Sequence, residues 1–326
     1  MPAELKAGAV RCISPSQNHG PARFPFVPEC MTIRHPLVET RSLKQVIFKA
    51  DDFGLSPAVN AGIELAHREG VLDAASLMVG AAAAAEAVVC AKRNPGLKVG
   101  LHLVVVANRA VLPPAAIPDL VDASGELSRD FARAGFRYFF LPRVRRQLAA
   151  EIRAQFEAFK ATGLPLDHVD AHHHLHLHPT VLGLLLHIGR DYGVKAVRLP
   201  AEPALLSQLP GEGGGLARQL VGALLKPWIT LVKWRLRRAG IATTDRVIGL
   251  HDTGRMSATR LRHILRTLPV GTSEIFFHPA VSDAPGPWPL AVAASRTELD
   301  ALLDGEVRQI LEASGIRRGG FCDLQT

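Results

Sequence analysis

The feature that most constrains this chain is an alternation. Short apolar runs, Val46–Ala50, Ala75–Val79, Lys98–Leu103, Leu166–Asp170, Ala196–Leu199, Arg246–Leu250 and Glu274–His278, are interleaved with stretches of helical spacing. Those stretches follow Ser56-Pro57, run through the alanines to Lys92, and cover Arg143–Thr162, Thr180–Gly193 and Thr259–Leu268. Ser56 before Pro57 is a good cap and first-turn pair, and Gly70 is a stop, so the first unit reads as strand, loop and helix. Strands alternating with helices give a parallel sheet, and so many units in one series predict closure into a barrel.

Composition bounds the rest. A length of 326 residues suits either two ordinary domains or one large α/β barrel. With 48% hydrophobic and 21% charged residues the disordered and collagen-like classes are excluded. Residues 1–44 show neither period and are expected to be a flexible extension or an early start, which leaves 45–326 as the ordered domain. Cys12, Cys30, Cys90 and Cys322 contain no CxxC pair, so neither a disulfide framework nor a thiolate zinc site is indicated, and a cytoplasmic location is expected. No continuous apolar stretch reads as a signal peptide or a spanning helix. The net charge of +8 admits nucleic acid, anionic membrane or acidic substrates, but two Tyr and three Trp leave few stacking platforms, so no nucleic-acid partner is expected.

The ionisable residues fall at the expected C-terminal ends of strands: Asp51 and Asp52, His102, Asp170 and His172, Arg198, and His278. Barrel active sites are built there. Adjacent carboxylates repel and raise one another's proton affinity unless a cation neutralises them. A metal on Asp52 resolves the conflict and leaves Asp51 to take a proton from the attacking water, although a lone Asp-Asp is also a common turn and cap. A single His102 on an apolar strand is more often a core residue. The run Asp170-Ala-His-His-His-Leu-His-Leu-His-Pro179 is harder to assign to packing, since five imidazoles in seven positions exceed what a core needs. If extended, it puts His172, His174, His176 and His178 on one face. Asp52, His102 and His172 supply the three ligands of a mononuclear hydrolytic site with an open position, the ion being Zn2+ or Mg2+. Such an ion acidifies water and polarises a carbonyl, which amide hydrolysis requires. His278 is the candidate acid for the leaving amine, its alternative being a buried turn histidine.

These residues resemble the YdjC/ChbG-type carbohydrate deacetylases: Lys49-Ala-Asp-Asp-Phe-Gly-Leu-Ser56, Val99-Gly-Leu-His-Leu103, His168-Val-Asp-Ala-His-His-His-Leu-His-Leu-His-Pro179 and Phe277-His-Pro-Ala280. The resemblance implies a distorted (βα) barrel in a single domain, one divalent metal and hydrolysis of N-acetyl groups on amino sugars. It implies Asp52, His102 and His172 as metal ligands, Asp51 as base, and Arg198 and His278 near the substrate; His174 and Asp170 are also expected at the substrate. Two segments, Leu112–Val121 and Phe139–Phe156, resemble the hopanoid-biosynthesis-associated branch, which implies an N-acetylglucosaminyl hopanoid as substrate. That branch often has Asn-Ala-His-Lys-His where this chain has Asp170-Ala-His-His-His174.

Leu216–Arg238 combines Leu220, Leu224, Trp228, Leu231 and Trp234 with Arg218, Lys226, Lys233, Arg235, Arg237 and Arg238. It reads as an interfacial helix pair broken at Pro227, able to touch an anionic membrane at the cytoplasmic face, or else as an ordinary barrel helix. The expected partner is thus a glycolipid substrate with peripheral membrane contact; the oligomeric state is open. Competing functions are a deacetylase of soluble chitooligosaccharides, a metal phosphoesterase, and a non-catalytic metal-binding or basic interaction protein.

Overall fold

Six of the apolar runs become strands: β1 (Lys44–Phe53), β2 (Ala74–Leu77), β3 (Lys98–Leu103), β4 (Val169–Ala171), β5 (Arg246–Ile248) and β6 (Gly271–Phe277). They lie in the order β4-β3-β2-β1-β6-β5, every neighbouring pair parallel, and β7 (Arg317–Arg318) pairs with the start of β1. The structure, a computed structural model, describes residues 43–281 and 292–324, which fall within one compact unit, Arg41–Thr326. The extension expected over 1–44 therefore lies almost entirely outside the described residues.

The seventh run, Ala196–Leu199, forms no extended strand. Parallel bridges Val169↔Val197 and Ala196↔Ala242 carry the ladder from β4 toward β5 residue by residue. Pro200 follows at once and cannot donate to a ladder. The sheet therefore curls as a distorted (βα) barrel whose last arc is thinly bonded, in agreement with the expected fold class.

Around it lie α1 (Pro57–Glu69), α2 (Ala84–Arg93), α3 (Phe131–Phe140), α4 (Pro142–Ala161), α5 (Pro179–Gly189), α6 (Gly215–Arg238), α7 (Ala258–Thr267), α8 (Val292–Leu303) and α9 (Gly305–Ser314). Ser56 caps α1 as its sequence predicts, its hydroxyl accepting from the Val59 N–H at 3.3 Å. On α1, a Cβ at Gly62 would stand 2.7 Å from the Ala280 backbone, so glycine lets this helix close on the His278-Pro279-Ala280 turn. Apolar side chains such as Phe48, Leu101, Val169 and Ile275 fill the core.

Two expectations are corrected. Residues 172–177 are not extended: they form a 3-10 turn in which His173 and His174 take left-handed backbone angles, φ 53° and 56°. The histidines consequently do not share a face; His172 and His176 turn inward, and His178 caps α5. Nor is the 216–238 segment broken, because α6 runs through Pro227 as one helix. Proline removes one backbone donor there, while beyond it Val232 and Leu236 bury and the Trp228 indole N–H bonds the Leu177 carbonyl at 3.1 Å, and before it Arg218 bonds Asp252 at 3.0 Å, so the helix is held on both sides.

Candidate metal centre at the barrel mouth

The C-terminal ends of β1, β3 and β4 bring Asp52, His102 and His172 to one point. His102 Nε2 lies 3.3 Å and His172 Nδ1 3.1 Å from Asp52 Oδ1, and the two ring nitrogens are 3.3 Å apart. Residues 52, 102 and 172 are separated by long stretches of chain, so only the barrel unites them. At Asp52 the β1–β2 register shifts and the backbone is left-handed, φ 61°. Alternation would send Asp51 and Asp52 to opposite faces; the shift instead lets both line a pocket of about 390 Å³. A left-handed aspartate is uncommon, and such strain concentrates at functional sites.

The cluster fits a cation on three grounds. Asp52 Oδ1 is buried and has no partner of hydrogen-bonding geometry, although two imidazole nitrogens adjoin it. Burial opposes its charge, but His172 and His102 hold its carboxyl well below the usual carboxylate range. Ligand atoms at ~2.1 Å from an ion stand roughly 3.0 Å apart in an octahedron and roughly 3.4 Å in a tetrahedron, which brackets the observed spacing and accommodates Mg2+ or Zn2+ alike. Charge gives the third ground. Four carboxylates, Asp51, Asp52, Asp170 and Glu274, face two fixed cations, Lys49 and Arg198, leaving two negative charges to balance. His102 answers with a proton: burial works against it, but the Asp170 carboxylate pushes it up to about 9.

Beneath the three residues lies a layer of buried ion pairs. Lys49 Nζ reaches Asp51 Oδ1 at 2.7 Å, Ser76 Oγ at 2.8 Å and Asp170 Oδ2 at 2.5 Å. Arg198 grips Asp51 with two N–H groups at 2.6 and 2.8 Å and donates to Glu274 at 2.6 Å. Asp51 is buried, which raises its proton affinity, yet Arg198 and Lys49 hold it far below the ordinary range. Asp170 Oδ1 and the Ser76 hydroxyl meet His102 Nδ1 at 2.9 and 3.0 Å, fixing the ring so that Nε2 faces the pocket. Asp170 and Arg198, expected at the substrate, are thus wholly buried in this network and do not reach the pocket surface. His174 does line it, its ring edge-on to Phe276 at 5.6 Å, kept neutral by burial and by Arg198.

His278 enters the pocket from the end of β6. Burial opposes its charge, but Glu298 raises its pKa above the ordinary value. Glu298, on α8, lies 3.7 Å from His278 Nδ1 and accepts from the Gly254 N–H at 2.6 Å and the His278 N–H at 2.5 Å. Lys49, Ser76, Glu274 and Glu298 escaped the sequence reading. A signal existed for Lys49 and Glu274, each a charge inside an apolar strand that demands a buried partner. Glu298 gives none, being one acid on an ordinary surface helix.

Residues 45–313 match the YdjC-like protein family. The chain belongs to that family. Carbohydrate deacetylases of Brevibacillus brevis and Vibrio cholerae are 40% and 41% identical to it over 156 and 152 residues. Those stretches cover 48% and 46% of this chain and 59% and 57% of theirs, so the match spans somewhat over half of the curated relatives' length. A crystal structure from Enterococcus faecalis, described as a cellobiose-phosphate cleavage protein, superposes with TM-score 0.66 at 24% identity over 87% of this chain and 100% of that one. That likeness shows the shared fold.

Proposed function

We propose that this chain is a divalent-metal-dependent hydrolase that removes the acetyl group from an N-acetylated amino sugar, and that the sugar is carried by a hopanoid lipid. The observation that carries the hydrolase reading is the convergence of Asp52, His102 and His172 within ligand distance, with Asp52 Oδ1 lacking any hydrogen bond. The named relatives support the carbohydrate class. The hopanoid rests on the resemblance at Leu112–Val121 and Phe139–Phe156.

An ion held by Asp52, His102 and His172 would supply a Lewis acid for the acetyl carbonyl and acidify the attacking water. Asp51, kept ionised by Arg198 and Lys49, accepts the water proton while its two cations fix its orientation. His278, whose proton affinity Glu298 raises, gives its proton to the nitrogen that leaves as the free amine. Asp170 and Ser76 hold His102 in the tautomer that presents Nε2. A phosphoesterase would need free cations for phosphate, whereas Lys49 and Arg198 are already bound by carboxylates.

The test is acetate release from an N-acetylglucosaminyl hopanoid and from a chitooligosaccharide. Faster turnover of the lipid supports the full proposal. Turnover of the soluble sugar alone keeps the deacetylase and removes the lipid, and release from neither, by metal-loaded protein, removes both.

A further inference from the structure

We propose that the corner between α3 and α4, together with α6, docks the protein onto an anionic lipid bilayer at the rim of the pocket. Of sixteen exposed large hydrophobic residues among those described, twelve lie on these two elements. Phe136, Phe139 and Phe140 are 62%, 46% and 58% exposed on α3, and Leu220, Leu224 and Trp234 are 63%, 81% and 52% exposed on α6. Single exposed apolar side chains are ordinary, but a concentration of this kind marks an interaction surface.

Both elements frame the site. Phe131, at the start of α3, packs its ring 4.6 Å from that of His173, which lines the pocket. The Trp228 indole of α6 bonds the Leu177 carbonyl just after the histidine turn. Near the other end of α6, Arg218 grips Asp252 at 3.0 Å, in the loop whose Leu250 and Thr253 also line the pocket. Between them runs a groove of about 380 Å³ over α5, bordered by Phe139, Arg145, Gly183 and Leu184. The two elements that carry the exposed apolar residues are therefore joined to the segments that line the pocket.

Charge chooses the occupant. Residues 131–146 hold five arginines and no acid, and 215–238 hold six Lys or Arg and no acid. Asp119, Asp252 and Asp245 offset Arg143, Arg218 and Lys233, and the remainder leaves a positive surface. A second copy docked by the same patch would set cation against cation. A nucleic acid would reward the cations but not the exposed Phe and Leu. Aromatic and aliphatic side chains among arginines match an anionic headgroup layer with acyl chains below it. No described helix is long and apolar enough to cross a membrane, so the contact is peripheral.

The experiment is flotation of the full chain with phosphatidylcholine vesicles, with and without phosphatidylglycerol, in the absence of any substrate. The protein is expected to float with the anionic vesicles and to be released by high salt. The triple variant Phe136→Ser, Phe139→Ser, Phe140→Ser and the double variant Leu220→Ser, Leu224→Ser should each weaken partition by about tenfold or more. Lys226→Glu with Arg235→Glu should do the same to the anionic vesicles. All replace exposed residues, and unchanged melting curves would show that they fold. No flotation, equal flotation with neutral vesicles, or a salt-stable dimer in light scattering that the α6 serines dissociate would each overturn the proposal. Because the vesicles carry no glycolipid, this outcome is independent of the deacetylase reading.

Discussion

The two ends of the barrel each hold a cavity, and the larger is at the end without convergent chemistry. Around the strand N-termini about 650 Å³ is bordered by Gln45, Asp245, Thr272 and Arg317; at the mouth about 390 Å³ is bordered by Asp51, Asp52, His102 and His278. At the lower end Asp245 is spent on the Thr272 N–H at 2.9 Å, as a turn acid ordinarily is. At the mouth the buried Asp52 Oδ1 has no hydrogen-bond partner, and the ring nitrogens of His102 and His172 lie beside it, 3.3 Å from each other. A buried, unsatisfied carboxylate oxygen converging with two imidazoles therefore identifies the site where volume does not.

The largest effects are expected at the mouth. Asp51→Asn should cost about 10²–10⁴ in kcat while the ion stays bound, because a general base is lost but no ligand is. Near-normal turnover, measured as acetate release, would remove Asp51 from that role. Next in size, Arg198→Ala leaves Glu274 buried without its cation and Asp51 with Lys49 alone, and should lower stability by about 3–5 kcal/mol in denaturant unfolding. A smaller loss would mean that water enters the layer freely.

Glu298→Gln acts on the mouth through His278. The carboxylate raises His278, so its removal lowers that pKa. If protonated His278 is the acid, the basic limb of the kcat/KM profile moves to lower pH while the melting temperature changes little. An unmoved limb with reduced kcat would assign Glu298 to loop anchoring. The smallest effect belongs to the other end: Arg317→Ala, exposed beside the larger cavity, should leave kcat/KM within about twofold, as surface changes usually do. A large loss there would show that the lower cavity takes part.

How much of this the sequence displayed depends on the residue. Ser56-Pro57, the alternating runs and the strand-end positions of Asp52 and His102 follow local rules, and the structure keeps them. The histidine turn does not follow such rules. His173 and His174 adopt left-handed angles that no residue type announces, so a run that alternation would place on one face winds inward instead. Asp170 looked like a pocket residue because it precedes the histidines, but one-residue alternation along β4 points it at Lys49 and His102. The α3 helix buries Ala134 and Tyr138, whereas its four phenylalanines are exposed, and nothing in their residue type tells which rings turn outward.

If Asp52, His102 and His172 hold one divalent ion, metal analysis of the purified chain, titrated across pH, will show it. His102 is pushed up to about 9, so below that pH a proton competes for the site and affinity should climb with pH through the neutral range. One ion per chain is expected, retained by Asp51→Asn and lost, together with acetate release, by His102→Ala and by His172→Ala. Both histidine variants keeping the ion, or the chelated wild type still releasing acetate, would contradict it.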